Sequence, residues 1–173
     1  MSHHSQGSPH HDADRDRVVV AILTISSSRT LAEDTAGDAI AAVVTDHGHA
    51  VAERTLVEDG VEPVRSQVAA WAARADVDCI VSTGGTGVTQ DDQTVEAVEP
   101  LLDKALPGFG ELFRQLSYEE IGTRVVGTRA IAGIVDGAPV FCLPGSVDAV
   151  TLGMTEVVLP SIGHLTALAS AHE

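Results

Sequence analysis

The chain has 173 residues, 44% of them apolar and only 3% aromatic. That is enough apolar material for one domain with a core built from Val, Ile, Leu and Ala, and it excludes wholesale disorder. With 25 acids against 10 bases the formal charge is −15, which argues against nucleic-acid partners, and no run approaches about 18 uninterrupted apolar residues, so no membrane span is expected. Lys104 is the sole lysine, and acid excess with so little lysine suggests a protein adapted to high salt, where mobile ions screen self-repulsion.

Residues 1–17 (MSHHSQGSPHHDADRDR) are expected to form a disordered tail, with His3, His4, His10 and His11 in two pairs. Residues 18–173 then form a single domain. VVVAILTI (18–25) reads as a central buried strand. Thr30 and Glu33 have capping-box spacing and Asp34 offers a further N-cap, ahead of a helical face made by Ala36, Ile40, Val43 and Val44 and a stop at Gly48. Residues 49–59 read as a second strand, and Pro63 opens a helix carrying Val64, Val68, Trp71 and Ala72. DCIVST (78–83) is a third strand, ending in GGTG (84–87).

Farther on, Val95, Val98, Leu101 and Leu102 make a helical stripe that Pro107 and Gly108 end, and 109–122 is another amphipathic helix. Ala130–Val135 and Pro139–Leu143 are short strands around an Asp136-Gly137 turn. Helical patterns run from Val147 to Leu159 and, beyond Pro160, to Ala169. Alternating strands and helices predict a three-layer α/β/α fold around an open, mostly parallel sheet. Cys79 and Cys142 lie in apolar runs without zinc-ligand spacing, so they read as reduced core thiols. With no secretory segment visible, a cytoplasmic location is expected.

Ligands of such sheets bind beyond the carboxyl ends of the strands, where Ser26–Arg29, Glu58–Gly60, Thr83–Gly87 and Pro144–Ser146 fall. Thr83-Gly84-Gly85-Thr86-Gly87 can present several backbone amides and two hydroxyls to an anion. It is neither a Walker A loop nor a dinucleotide fingerprint, so phosphate binding there needs Arg29, Arg129 or a divalent metal. Asp59 ends the second strand and Asp91 and Asp92 follow the glycine loop; at adjacent strand ends of an open sheet, carboxylates and a phosphate can share Mg²⁺. Ser146 in Leu143-Pro144-Gly145-Ser146 either caps the next helix or meets the ligand.

Taken together, TGGTGVTQDDQTVEA (83–97), PGFGELFRQLSYEEIG (107–122), TRAIAG (128–133) and LPGS (143–146), with Ser26–Arg29 and Leu56–Asp59, resemble the MoaB/Mog family of molybdenum cofactor biosynthesis proteins. The resemblance implies a homotrimer and a molybdopterin adenylyltransferase that uses Mg²⁺, with ATP and molybdopterin as substrates. It assigns the catalytic carboxylates and metal contacts to Asp92 and Asp59. Gly84, Gly85, Thr86 and Gly87 would hold nucleotide, and Gly145 and Ser146 would line the adenylate and pterin pocket. Thr83, Ser26, Arg29 and Arg129 complete the expected substrate contacts, and a molybdate-inserting enzyme would take the product. The chain departs from the family's usual residues at Asp91 (Arg), Ser27 (Asp), Val95 (Pro) and Val147 (Pro), which leaves a non-catalytic pterin-binding relative as the alternative.

Overall fold

The structure, a computed structural model, describes residues 14–171. The histidine pairs of the expected tail lie outside the described residues. Four residues of that tail, 14–17, are described, and they run against the body: the Arg15 amide donates to the Gly163 carbonyl at 3.2 Å, and its guanidinium pairs with Asp78 at 2.5 Å.

Six strands form one sheet in the order β2-β1-β3-β6-β5-β4. They are β1 (Val19–Ile25), β2 (Ala50–Val57), β3 (Cys79–Thr83), β4 (Lys104–Ala105), β5 (Ile131–Val135) and β6 (Ala138–Leu143). The first four in that order are parallel, which sets the carboxyl ends of β2, β1, β3 and β6 along one rim. The β5–β6 hairpin closes through Asp136 and Gly137, both at positive φ (46° and 77°), as a two-residue type I′ turn requires.

Alternation along the buried strands divides the core in two. Val20, Ile22, Val81, Phe141 and Leu143 face α1 (Thr35–Asp46), α4 (Pro107–Ile121) and the C-terminal helical run. Ala21, Leu23, Ile80, Val140 and Cys142 face α2 (Val61–Ala72) and α3 (Thr94–Val98). A strand covered on both faces has no polar side, which is why VVVAILTI is continuous rather than alternating. The few aromatics are placed where they exclude most water: Trp71, Phe113 and Phe141 are each 1% exposed, and Phe109 stacks on Phe113 and meets Phe141 edge-on. Both cysteines are buried and free, and burial pushes the Cys142 thiol up to about 11.

The first crossover shows how local signals hold. The Glu33 carboxylate accepts from the Thr30 amide at 3.0 Å and its hydroxyl at 2.8 Å, closing the capping box on a single 3₁₀ turn. Asp34 then caps α1 through the Gly37 amide at 2.9 Å. At 1% exposure its carboxylate has further partners, the Thr24 hydroxyl at 2.6 Å and Arg54 at 3.2 Å, so a buried charge is both paired and hydrogen-bonded.

Four sequence expectations change. The stripe after the glycine loop is shorter: α3 buries Thr94, Ala97 and Val98, Val95 is half-buried, and residues 99–101 tighten into a 3₁₀ turn. Lys104 belongs to a two-residue edge strand rather than a helix, pairing with β5 opposite Ile134. Pro107 begins α4 at its first turn, where its missing N–H is no loss. Nor does Pro160 split the C-terminal helices: α5 (Val147–Gly153) continues through a π-turn at Met154–Val158 into α6 (Leu159–Ser170). The wider turn lies just upstream of Pro160, with the Leu159 amide donating to the Met154 carbonyl. The resulting 24-residue run has a mean hydropathy of 1.2 in its best window, enough to cross a membrane by length and composition alone. Its Val150, Met154, Val158 and Ile162 are buried in the core.

Candidate active site at the carboxyl rim

The glycine loop leaves β3 at Thr83 and returns at Thr94, the first residue of α3. Three bonds fix its base. The Gly84 amide donates to the Leu143 carbonyl at 3.0 Å, the Thr94 hydroxyl to the Gly84 carbonyl at 2.8 Å, and the Thr94 amide to the Gly85 carbonyl at 3.0 Å. Gly84 and Gly85 have φ of +102° and +67°, and a Cβ would lie 2.4 Å from the Ile25 carbonyl oxygen at Gly84 and 2.3 Å from Thr94 Oγ1 at Gly85. No side chain fits either place, so the backbone itself forms the surface.

A second loop closes over it. The Thr83 hydroxyl donates to the Pro144 carbonyl at 2.8 Å, and the Cβ position of Gly145 is 3.4 Å from Gly84 Cα. Ser146 caps α5, accepting from the Ala149 amide at 3.2 Å, so capping and cavity lining are both its work. Between the loops lies a cavity of about 360 Å³ lined by Gly84–Gly87, Asp92, Gly145 and Ser146, with Gly127 and Thr128 on the far wall. Among the described residues the amides of Gly85, Thr86 and Gly145 have no acceptor, and the amino end of the C-terminal helix opens beside them. Amides without an acceptor beside a helix N-terminus suit an anion.

Asp92 stands at the cavity's edge and also lines an adjoining one of about 390 Å³ with Thr89, Gln93, Glu96 and Arg129. Its Oδ2 accepts from the Thr89 amide at 2.8 Å and hydroxyl at 2.7 Å. Burial alone would raise the Asp92 pKa; the Thr89 hydroxyl, the Thr89 and Gly87 amides and nearby Arg129 outweigh it and hold the carboxyl below its ordinary range. Thr89-x-x-Asp92 repeats the spacing of Thr30-x-x-Glu33, a signal in the sequence that would have revealed this contact.

Arg129 is less available than its charge suggested. Its Nε donates to the Gly87 carbonyl at 2.7 Å and its Nη2 to the Asp92 carbonyl at 2.8 Å, and Nη1 pairs with the Glu96 carboxylate. The Arg129 guanidinium beside Glu96 holds that carboxyl below its usual range.

The remaining expected residues gather at the other half of the rim. Asp59 Oδ2 accepts from the Ser27 amide at 2.8 Å, and the Asp59 amide donates to the Ser27 hydroxyl at 3.0 Å. The Ser26 amide donates to the Val57 carbonyl at 3.0 Å. Arg29 is exposed and has no ion pair among the described residues, and Asp91 is exposed next to Asp92. Asp59 lines neither cavity, and no group of three or more His, Cys, Asp or Glu in the described residues is arranged to hold a metal. Among the residues lining the amide cavity, Asp92 is the one whose chemistry would suit Mg²⁺, as a hard carboxylate held in its ionised form.

Comparison with known proteins gives the family. Residues 21–164 match the family described as probable molybdopterin binding domain. Molybdenum cofactor biosynthesis protein B of Halalkalibacterium halodurans is 46% identical over 145 residues, 83% of this chain and 85% of its own; the Escherichia coli K12 protein of that name is 39% identical over 153 residues, 88% and 90%. A crystal structure of molybdenum cofactor biosynthesis protein B superposes with a TM-score of 0.86 at 42% identity, covering 88% of this chain and 96% of that one. The tungsten cofactor synthesizing protein MoaB from Pyrococcus furiosus gives 0.77 at 36% identity, with 88% and 97% covered. The match spans both loops, Asp92 and Arg129, and on it the chain belongs to the MoaB/Mog family of molybdenum cofactor biosynthesis proteins.

Proposed function

We propose that the protein transfers the adenylyl group of ATP to the terminal phosphate of molybdopterin. An oxygen of that phosphate forms a bond to the α-phosphorus of ATP, the α–β P–O bond breaks, and adenylylated molybdopterin and pyrophosphate leave. The single observation that carries the reading is the cavity of free amides between Gly84–Gly87 and Gly145–Ser146 with ionised Asp92 at its edge. Both reactants are polyanions, and the attacking phosphate is already ionised at neutral pH, so the chain's task is positioning and charge stabilisation rather than proton abstraction.

In this account the amides of Gly85, Thr86 and Gly145 orient phosphate oxygens, and the helix beginning at Val147 adds the positive end of its dipole. Mg²⁺, when bound, neutralises phosphate charge, and Asp92 is the side chain that would hold it. The Ser27–Asp59 pair orders the loop that carries Arg29 toward the second polyanion. A homotrimer built on exposed apolar residues near the site, such as Val88 (75% exposed) and Val126 (84%), and delivery of product to a molybdate-inserting enzyme complete the proposal.

A second reading, binding of molybdopterin without turnover, draws on the lack of a free cation among the lining residues: Arg129 is tied to the loop, and position 91 is acidic. Pyrophosphate release separates the two. Purified protein given molybdopterin, ATP and magnesium is expected to release pyrophosphate in step with adenylylated product. Tight molybdopterin binding with no pyrophosphate would establish the second reading.

A further inference from the structure

We propose that Arg129 is a positioning residue, a clamp that sets the location of Asp92, and not a ligand of substrate phosphate. The kinetic part of this proposal rests on the adenylyl-transfer reading; the structural part does not.

Residue 129 reaches the loop at three places and α3 at a fourth. Its amide donates to the Thr86 carbonyl at 3.0 Å, and its guanidinium takes the Gly87 and Asp92 carbonyls and the Glu96 carboxylate. Thr86 and Gly87 are on the outgoing limb of the loop, Asp92 is on the returning limb, and Glu96 is in α3. One planar fork therefore joins both limbs and the helix they lead into. A guanidinium can do this because its five donors are fixed in a plane; an ammonium cannot span the same acceptors. Between Thr86 and Thr94 the other ties are the contacts of Asp92 with Thr89 and with the Gly87 amide, all internal to the loop, so they move with it and do not anchor it to the sheet. Arg129 sits two residues before β5, so it is the link from the loop to a strand. Glu96 completes the device: it neutralises the guanidinium, which lines the adjoining cavity and not the one lined by the free amides.

The two roles predict opposite behaviour in Glu96→Gln. If Arg129 bound phosphate, releasing it from Glu96 would tighten ATP binding. As a clamp, Arg129 loses its anchor, so kcat falls and ATP affinity does not improve. Arg129→Lys and Arg129→Ala should both lower kcat, by about 100-fold if Asp92 shifts on the order of 1 Å, with KM for ATP unchanged. Hydrogen exchange gives the independent readout: amides 86–92 exchange faster in Arg129→Lys and Arg129→Ala than in the wild type, and those of β1 and β3 do not. Tighter ATP binding in Glu96→Gln, recovery of kcat in Arg129→Lys, or unchanged exchange over 86–92 would each overturn the clamp. If the wild-type protein released no pyrophosphate, the functional reading would fail, and exchange would still decide the clamp.

Discussion

The carboxyl rim of the sheet has two halves that use the same kinds of residue differently. At β3 and β6, glycines and a short Pro-Gly turn leave amides without acceptors, and Asp92 faces two cavities. At β1 and β2, Ser27 and Asp59 satisfy each other through reciprocal bonds and line neither cavity. Both halves carry an aspartate in a loop at the carboxyl rim, so position alone does not distinguish the two. What distinguishes them is whether hydrogen-bonding capacity is left over after folding. The amino end of the sheet makes the same point: a larger cavity of about 730 Å³ lies there, yet its Arg15 is paired with Asp78 and its Arg74 with Glu53 and Asp76.

The sharpest break between the halves is Asp92→Ala against Asp59→Ala. We expect Asp92→Ala to lower kcat by at least roughly 100-fold while the protein still folds, checked by pyrophosphate release and circular dichroism. Next comes Gly85→Ala, which forces a side chain onto Thr94 Oγ1 at a φ that costs about 1–2 kcal/mol in itself. Its melting temperature should fall and its product formation disappear; a variant as stable as wild type would show that the loop has room to relax.

Asp59→Ala should raise KM for one substrate by about tenfold with kcat near wild type, the loss of about 1.4 kcal/mol of loop order. Ser27→Ala should match it, since each residue satisfies the other. A collapse of kcat in Asp59→Ala would place that carboxylate at the reacting atoms and erase the distinction between the halves.

The smallest effect is the pH response. Asp92 and Glu96 both have folded pKa values below their unfolded ones. Groups of this kind stabilise the fold fully above the unfolded value, about 4, and the contribution is lost as pH falls through the folded value. Urea midpoints of Asp92→Asn should therefore approach those of wild type as the solution is acidified below about pH 4. A gap between the two that is constant with pH would mean that the Asp92 charge adds nothing to stability.

Much of this was legible in the sequence because it is local. Continuous apolar runs marked strands covered on both sides, Thr30, Glu33 and Asp34 announced a helix start, and three glycines after a strand marked the loop that lines the cavity. What the sequence hid is non-local or compensated. Arg129 reaches carbonyls 42 and 37 positions earlier, and nothing in its neighbourhood shows that they already engage it. Pro160 reads as a break because proline ends most helices, and the π-turn just upstream of it has no local signature. The Lys104–Ala105 strand is too short to have a period; what marks it is non-local, the bonds of the Asp103 and Leu106 amides to the Ile134 and Ala132 carbonyls of the neighbouring strand.

The most direct measurement is a crystal structure with a non-hydrolysable ATP analogue and magnesium. The account predicts phosphate oxygens within hydrogen-bond distance of the Gly85, Thr86 and Gly145 amides, with the metal against Asp92. A triphosphate bound away from those amides, with Asp92 contacting only Thr89, would contradict it.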